Sequence, residues 1–243
     1  MHARASAELS RVIERTSWLS ALGHERRVDR LPDGRTALVV RVLGAERGEV
    51  HVLGPRTQAT LKRATFERAL LVQFKPGCSA SLLGVPAREL TDRYVPLEDL
   101  WGRAAATLAS DLVRAPDAGT ALVHLQRAFT ARRGSRWRPT SAGLARHAAY
   151  LLEHEDSRVE GVARRLGVTS RHLRRTFDQC IGVAPKSFAR AARLQRAVRM
   201  LNRSNDWGSI ALEAGYYDQP HLIAEFRSLV GLTPGAFAER VRR

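Results

Sequence analysis

Three arginines in the second half of the chain are spaced so that a helix would place them on one face. Arg171, Arg174 and Arg175 stand at positions i, i+3 and i+4, while Leu173 and Phe177 fall on the opposite face. A guanidinium group donates hydrogen bonds from a rigid planar fork, which matches a phosphate group or the edge of a guanine base. These arginines are therefore candidates for binding a polyanion. A face of this kind is, by itself, also typical of a solvated helix surface.

The charge balance of the whole chain favours a polyanionic partner as well. The 243 residues include 40 basic and 24 acidic side chains, which leaves a net charge of +16. Residues 157–203 carry 12 basic and two acidic side chains, whereas residues 204–243 carry four basic and five acidic ones. The excess is therefore concentrated around the three arginines.

A pattern of phenylalanine, glycine and proline occurs twice in the last third of the chain. The spacing F-x4-G-x2-P-x2-F begins at Phe177 and recurs 49 residues later, at Phe226. Self-similarity at a fixed offset indicates a repeated structural unit.

The first copy has the signals of two short helices joined by a turn. Ser157 and Glu160 have the spacing of a capping box, and Gly167 supplies the left-handed residue that ends a helix. Thr169 then caps a second helix over residues 170–178. Two short helices around a glycine-containing turn are typical of a helix-turn-helix unit.

The second copy follows the same plan. Asp206 caps a predicted helix over residues 207–214 that ends at Gly215, and Asp218 caps the next helix. Between the copies, an amphipathic helix is predicted from Pro185 to about residue 201, a length of about 25 Å. Two recognition helices held by this strut would reach successive major grooves, which lie about 34 Å apart on one face of DNA.

The segment from about Thr140 to the C-terminus resembles the DNA-binding domain of AraC/XylS-type transcriptional regulators. The resemblance is carried by VARRLGVTSRHLRRTF, by the GVAPKSF that follows it, and by IALEAGYYDQPHLIAEFRSLVGLTPGAF. It implies a sequence-specific DNA-binding transcriptional regulator with a β-rich regulatory domain ahead of the two helix-turn-helix units. The DNA-binding residues that it implies are Arg171, His172, Arg174 and Arg175 in the first recognition helix, and Gln219, Pro220, His221, Ile223 and Ala224 in the second.

The two recognition faces differ in composition. Ile223 and Ala224 stand where family members often carry a basic or polar residue, and Pro220 lacks a backbone donor. We therefore predict that the first unit supplies most of the specificity, and that the second contributes shape and apolar contact. Two roles are open for His172 and His221. Each side chain either donates a hydrogen bond to DNA or bonds locally within the first turn of its helix.

The first third of the chain alternates in the manner of β-strands. Strands are predicted over residues 36–43, 49–53, 59–64 and 69–74, with helices over 97–113 and 118–130. The segments LPDG, GPRT, FKPG and LLGVPARELTDRYVPLEDLWG resemble an N-terminal domain found in some such regulators, where the family implies effector binding or dimerisation. The expected fold is α+β with two domains: residues 1–133 form a β-rich domain with packed helices, 134–140 a linker, and 141–243 an all-α DNA-binding domain.

Catalytic and metal-binding signals are weak. The sequence has no phosphate loop, no G-x-S-x-G and no H-E-x-x-H, and Cys78 and Cys180 fit ordinary packed thiols. A cluster formed by His147, His154, Glu155 and Asp156 has no second cluster to complete a metal shell. We predict no enzymatic activity, no cofactor and no metal. For the aromatic residues Trp101, Trp137, Tyr216 and Tyr217, packing is favoured over ligand or base stacking.

No stretch reaches the roughly 18 apolar residues of a membrane span, and the N-terminus has no apolar signal core, so a cytoplasmic protein is expected. Expected partners are double-stranded promoter DNA, a small-molecule effector of unknown identity, a second copy of the chain and RNA polymerase. Two alternatives are open: a helical scaffold that binds protein, and an Ada-like protein of DNA repair. Two repeats are too few for a solenoid, and the zinc module of Ada needs more than two cysteines.

Overall fold

The computed structural model describes residues 9–44, 47–132, 141–155, 158–201 and 206–242. A mixed N-terminal unit of strands and helices is followed by an all-helical C-terminal unit, so the prediction of a two-domain α+β fold is confirmed. The predicted linker, the capping box at Ser157, Asp156 and Trp137 lie outside the described residues.

The N-terminal unit is built on an antiparallel sheet of five strands in the order β1-β6-β3-β4-β7, and β2 pairs with β5 beside it. The strands are β1 (Ile13–Ser20), β2 (Glu25–Arg27), β3 (Ala37–Val42), β4 (Gly48–Leu53), β5 (Arg63–Thr65), β6 (Arg68–Phe74) and β7 (Tyr94–Pro96).

The predictions for β3, β4 and β6 are confirmed, because these runs have β-branched residues that alternate between two environments. The strand predicted over 59–64 is wrong in extent: only an isolated bridge at Thr60 and the short β5 form there. The strands β1, β2 and β7 were not predicted, since their polar residues hide the alternation.

Four helices complete this unit: α1 (Ser79–Leu83), α2 (Leu97–Trp101), α3 (Arg103–Arg114) and α4 (Ala118–Ala131). The single helix predicted over 97–113 is therefore broken. Gly102 adopts φ 57° and ψ −137°, a conformation open to glycine but outside the helical region, so the chain turns between α2 and α3.

Each central strand of the sheet has one buried and one open face. Leu38, Val40, Leu70 and Val72 are almost fully buried in a core shared with residues of α3 and α4. Their neighbours along β3 and β6 point to the other face, because side chains alternate along a strand. That second face lines a cavity of about 690 Å³, to which the C-terminal unit also contributes.

The C-terminal unit consists of seven described helices: α5 (Ala142–His154), α6 (Val159–Arg165), α7 (Ser170–Cys180), α8 (Pro185–Met200), α9 (Trp207–Ala214), α10 (Gln219–Val230) and α11 (Pro234–Arg242). They form two apolar cores. Residues of α5, α6 and α7 fill the first, and residues of α9, α10 and α11 fill the second.

Direct bonds join the two units at several points. Gln195 Nε2 donates to the carbonyl of Pro32 (2.8 Å), the amide of Ala59 donates to the carbonyl of Leu229 (2.8 Å), and Arg240 forms two 2.9 Å bonds to Asp29. In the first half of the C-terminal unit, Glu153 accepts a bond from Arg35 (2.8 Å), so both halves are in contact with the sheet unit.

Gly34 lies at a close approach between the two units. A Cβ atom at this position would lie 2.3 Å from Cδ2 of Phe188, and the backbone has φ +64°. Any other residue would therefore both clash and be strained, so Gly34 is required for this docking.

The two cysteines of the chain lie in different domains. Cys78 and Cys180 are free and buried, as predicted, and burial raises the pKa of both thiols. Within the described ranges, no helix is long and apolar enough to cross a membrane.

Candidate nucleic-acid interface

The first helix-turn-helix unit is formed by α6, α7 and the turn between them. Gly167 has φ +66°, the left-handed conformation predicted for the helix end. Thr169 Oγ1 accepts a hydrogen bond from the amide of His172 (3.1 Å), so the predicted cap of α7 is confirmed.

The helix α7 separates an apolar from a basic face. Leu173, Phe177 and Cys180 are fully buried. The opposite face carries the four predicted contact residues, all exposed: Arg171, His172, Arg174 and Arg175. No carboxylate among the described residues pairs with these three arginines, which leaves their guanidinium groups available to an external anion.

The second unit, formed by α9 and α10, has the predicted caps. Asp206 accepts bonds from the amides of Gly208 (3.0 Å) and Ser209 (3.2 Å), and its bonds to the Ser209 hydroxyl and to these amides lower the pKa of its carboxyl group. Asp218 accepts a bond from the amide of His221 (2.8 Å). Gly215 ends α9 with φ 86°.

The outer face of α10 is less charged than that of α7. Leu222 and Phe226 are buried, as predicted. Of the predicted contact residues, Ile223 is half-buried, and four are exposed: Gln219, Pro220, His221 and Ala224. This face thus offers mainly polar and apolar groups to a partner, with a guanidinium group only at the exposed Arg227 in the last turn of the helix.

The helix α8 is the structural link between the two units. Phe188, near its start, belongs to the first apolar core, while Leu194 and Ala197 belong to the second. Its 16 residues correspond to about 24 Å. Because one continuous helix is packed into both cores, the two recognition helices are held in a fixed relation.

Glu225 positions the helix α10, and it is not among the site residues predicted from the sequence. Its side chain is only 8% exposed and is paired with two arginines of α8, Arg190 (3.1 Å) and Arg193 (3.4 Å). The acid therefore ties the second recognition helix to the strut. Its place between Leu222 and Phe226, on the inward face of an amphipathic helix, is the signal that marks it in the sequence.

Aromatic residues of the second unit continue this network. Arg193 lies over the ring of Tyr216 (5.6 Å), and the His221 ring meets Tyr216 edge-on (5.4 Å). Tyr216 is buried, as predicted. Tyr217 is 86% exposed, so the prediction that it packs in the core is wrong. Tyr217 lies in the turn between α9 and α10, two residues after the left-handed Gly215. His221 makes local contacts that are consistent with the structural alternative, and its ring is still exposed.

The described histidines and acids of the candidate metal cluster lie apart from one another or have other partners. No group of three or more metal-ligating side chains forms among the described residues, which include His147, His154 and Glu155. His154 instead stacks on Tyr150, and Glu155 pairs with Arg165. Trp101 is buried against Phe129, as predicted for packing.

Two helix-turn-helix units on a common helix, each with an exposed recognition helix, define a DNA-binding protein of the double helix-turn-helix class. A family model described as "Helix-turn-helix domain" matches residues 162–240, and another, described as "Domain of unknown function (DUF6597)", matches residues 1–96.

Several solved structures are similar to this chain. The DNA-binding domain of AdpA, solved in complex with a target DNA, is 31% identical, with 41% of this chain and 95% of that chain covered and a TM-score of 0.37. An AraC-type DNA-binding domain-containing regulator from Chromobacterium violaceum is 28% identical, with 38% and 87% covered and a TM-score of 0.36. ToxT from Vibrio cholerae is 12% identical, with 94% and 98% covered and a TM-score of 0.47. No curated protein matches.

The chain belongs to the AraC-type family of transcriptional regulators. It is a DNA-binding transcriptional regulator with a β-rich N-terminal domain.

Proposed function

We propose that this regulator binds double-stranded promoter DNA in two successive major grooves and acts on transcription without catalysis. The observation that carries the proposal is the helix α8, which is packed into the cores of both helix-turn-helix units. One chain then presents two recognition helices at a fixed spacing, as a dimer of single units does.

The two recognition helices have different roles in this proposal. Arg171, Arg174 and Arg175, with His172, bind phosphates and guanine edges from α7. The helix α10 contributes Gln219, His221 and the apolar Ile223 and Ala224, while Pro220 starts the helix without donating a bond.

The N-terminal domain controls the DNA-binding domain in this proposal, with a linker at 134–140 between residues 1–133 and 141–243. Its bonds to both helix-turn-helix units, from Arg88 to Asp178 of α7 and from the amide of Ala59 to Leu229 of α10, support such control. We further propose a cytoplasmic protein whose other partners are a small-molecule effector, RNA polymerase and a second copy of the chain.

A binding assay at several salt concentrations tests the proposal. Operators are first selected by genome-wide mapping of bound DNA, and the full chain and the fragment 141–243 are then titrated onto one operator. Each neutralised phosphate should lower the logarithm of the binding constant by about 0.9 per tenfold rise in salt. A folded fragment without affinity for DNA at low salt would overturn the assignment, because both units and the strut lie inside it.

A further inference from the structure

The cavity between the sheet unit and the helical unit is strongly basic. Nine of its 27 lining residues are arginine or lysine and four are acidic. Its volume of about 690 Å³ is within the range of small-molecule sites.

The acids that line this cavity are already bound within the protein. Arg35 binds both Glu14 and Glu153, each at 2.8 Å. Asp29 is held by Arg240, and Asp33 accepts bonds from Gln73 Nε2 and from the amide of Arg35. Glu14, Glu153 and Asp29 are therefore ion-paired with arginines, with Arg35 shared by the two glutamates, and burial raises the pKa of the Asp33 carboxyl group.

More than half of the basic residues that line the cavity have no carboxylate partner among the described residues. Within the part of the chain that the structure describes, no ion pair to a carboxylate forms at five of them: Arg15, Arg30, Lys62, Arg93 and Arg199. Arg30 is bound only by the carbonyls of Arg35 (2.8 Å) and Leu53 (3.3 Å). Burial lowers the pKa of Arg30, because desolvation disfavours the charged guanidinium. The nearby Asp33 offsets part of that cost, and a bound anion would offset more of it.

We propose that this cavity binds a compact polyanion, a phosphorylated or polycarboxylate small molecule with at least two negative charges. Several unpaired cations call for several negative charges, and the guanidinium fork matches both phosphate and carboxylate oxygens. The half-buried Val39 and Leu71 offer an apolar floor for the body of the ligand.

The position of Arg199 and Gln195 connects this site to DNA binding. Both residues line the cavity from α8, the helix that carries both recognition units. A polyanion held by Arg199 and by cations of the sheet unit bridges the two domains and thereby changes affinity for the operator. This regulatory step rests on the proposed function, whereas binding of the anion does not.

Calorimetric titration of the full chain at fixed ionic strength tests the site. Pyrophosphate and citrate are the probes for phosphoryl and carboxylate sources, and decanoate is the probe for a singly charged amphiphile. Saturable binding of either polyanion, at least tenfold tighter than decanoate, is expected. Binding of neither polyanion, or equally tight binding of decanoate, would overturn the proposal.

Matched variants locate the bound anion. Arg15→Gln, Lys62→Gln and Arg199→Gln should each weaken the binding of the polyanion about tenfold. Arg103→Gln and Arg127→Gln, which remove the same charge from exposed sites of α3 and α4 outside the cavity, should leave it unchanged. Arg174→Ala is the control for the DNA-binding face. If Arg174→Ala abolishes probe binding while the cavity variants retain it, the anion is bound at the DNA surface and the proposal is wrong.

Titration of operator DNA with and without the bound probe then tests the coupling. The anion and DNA should alter each other's affinity by the same factor, as linkage requires. Anion binding without any affinity for DNA would overturn the proposed function but support the cavity site. Anion binding that leaves operator affinity unchanged would overturn only the regulatory step. Cavity variants that weaken DNA binding tenfold without any small anion would instead assign these cations to DNA phosphates.

Discussion

The two helix-turn-helix units share a plan but use their charged residues differently. In the first unit, Arg171, Arg174 and Arg175 lie exposed on α7 without an acidic partner among the described residues. In the second unit, charged residues hold the structure together. Asp206 and Asp218 cap helices, and Glu225 is buried against two arginines.

This difference shows that formal charge misrepresents what each unit offers to DNA. Of the five acids in residues 204–243, only Glu213 and Glu239 are exposed without a capping or pairing role. Conversely, Glu225 offsets one of the two positive charges of its partners Arg190 and Arg193, which belong to the basic window of residues 157–203. The prediction that the first unit dominates therefore depends on the free arginines of α7 and less on the net charge of either segment.

The largest effect on DNA recognition is expected from the arginines of α7. Arg174→Ala or Arg175→Ala should relax base preference and weaken binding together, since a bidentate contact to guanine contributes about 1–3 kcal/mol of discrimination. Titration of the selected operator and of single-base variants at one salt concentration measures both changes. Uniform weakening across all sequences would assign these arginines to phosphates instead.

Gln219→Ala provides the matched measurement in the second unit. Gln219 occupies the first turn of α10 and is exposed, as Arg171 is in α7. We expect a smaller loss of affinity for Gln219→Ala than for either arginine variant on the same operator. An equal loss would show that both units read bases to the same extent.

Removal of Glu225 should affect stability first and DNA binding second. In Glu225→Ala, the hydrogen bonds of Arg190 and Arg193 to a buried acceptor are lost, which should cost roughly 1.5–3 kcal/mol. Denaturant unfolding gives the free-energy change, and hydrogen exchange of the α10 amides locates it. Glu213→Ala, at an exposed site of α9, is the control and should change the stability by less than about 0.5 kcal/mol. Equal behaviour of the two variants would mean that the buried pair does not position α10.

The smallest effect is expected at Ile223. Ile223→Ala should cost about 1 kcal/mol or less in operator affinity, because the half-buried side chain loses only a partial apolar contact. Replacing individual thymines of the operator by uracil removes the methyl groups that this residue would touch. If Ile223→Ala and a uracil substitution are additive, no such contact exists at that base.

Local signals allowed the C-terminal domain to be predicted element by element. The caps at Thr169, Asp206 and Asp218, and the left-handed glycines Gly167 and Gly215, act within a few residues of their own helix ends. Amphipathic spacing likewise predicts which face of α7 is exposed. Local sequence signals are therefore sufficient to predict the two helix-turn-helix units and the exposed face of α7.

Long-range contacts decided the rest. Glu225 meets its arginines across more than thirty positions, Arg35 meets Glu153 across 118, and Arg240 meets Asp29 across 211. Periodicity places Glu225 on the inward face of α10, but the partner of each charged side chain depends on these long-range contacts. The pairing of Glu225 with Arg190 and Arg193 therefore arises only when the chain is folded. The same holds for the cations without a carboxylate partner that line the cavity between the domains.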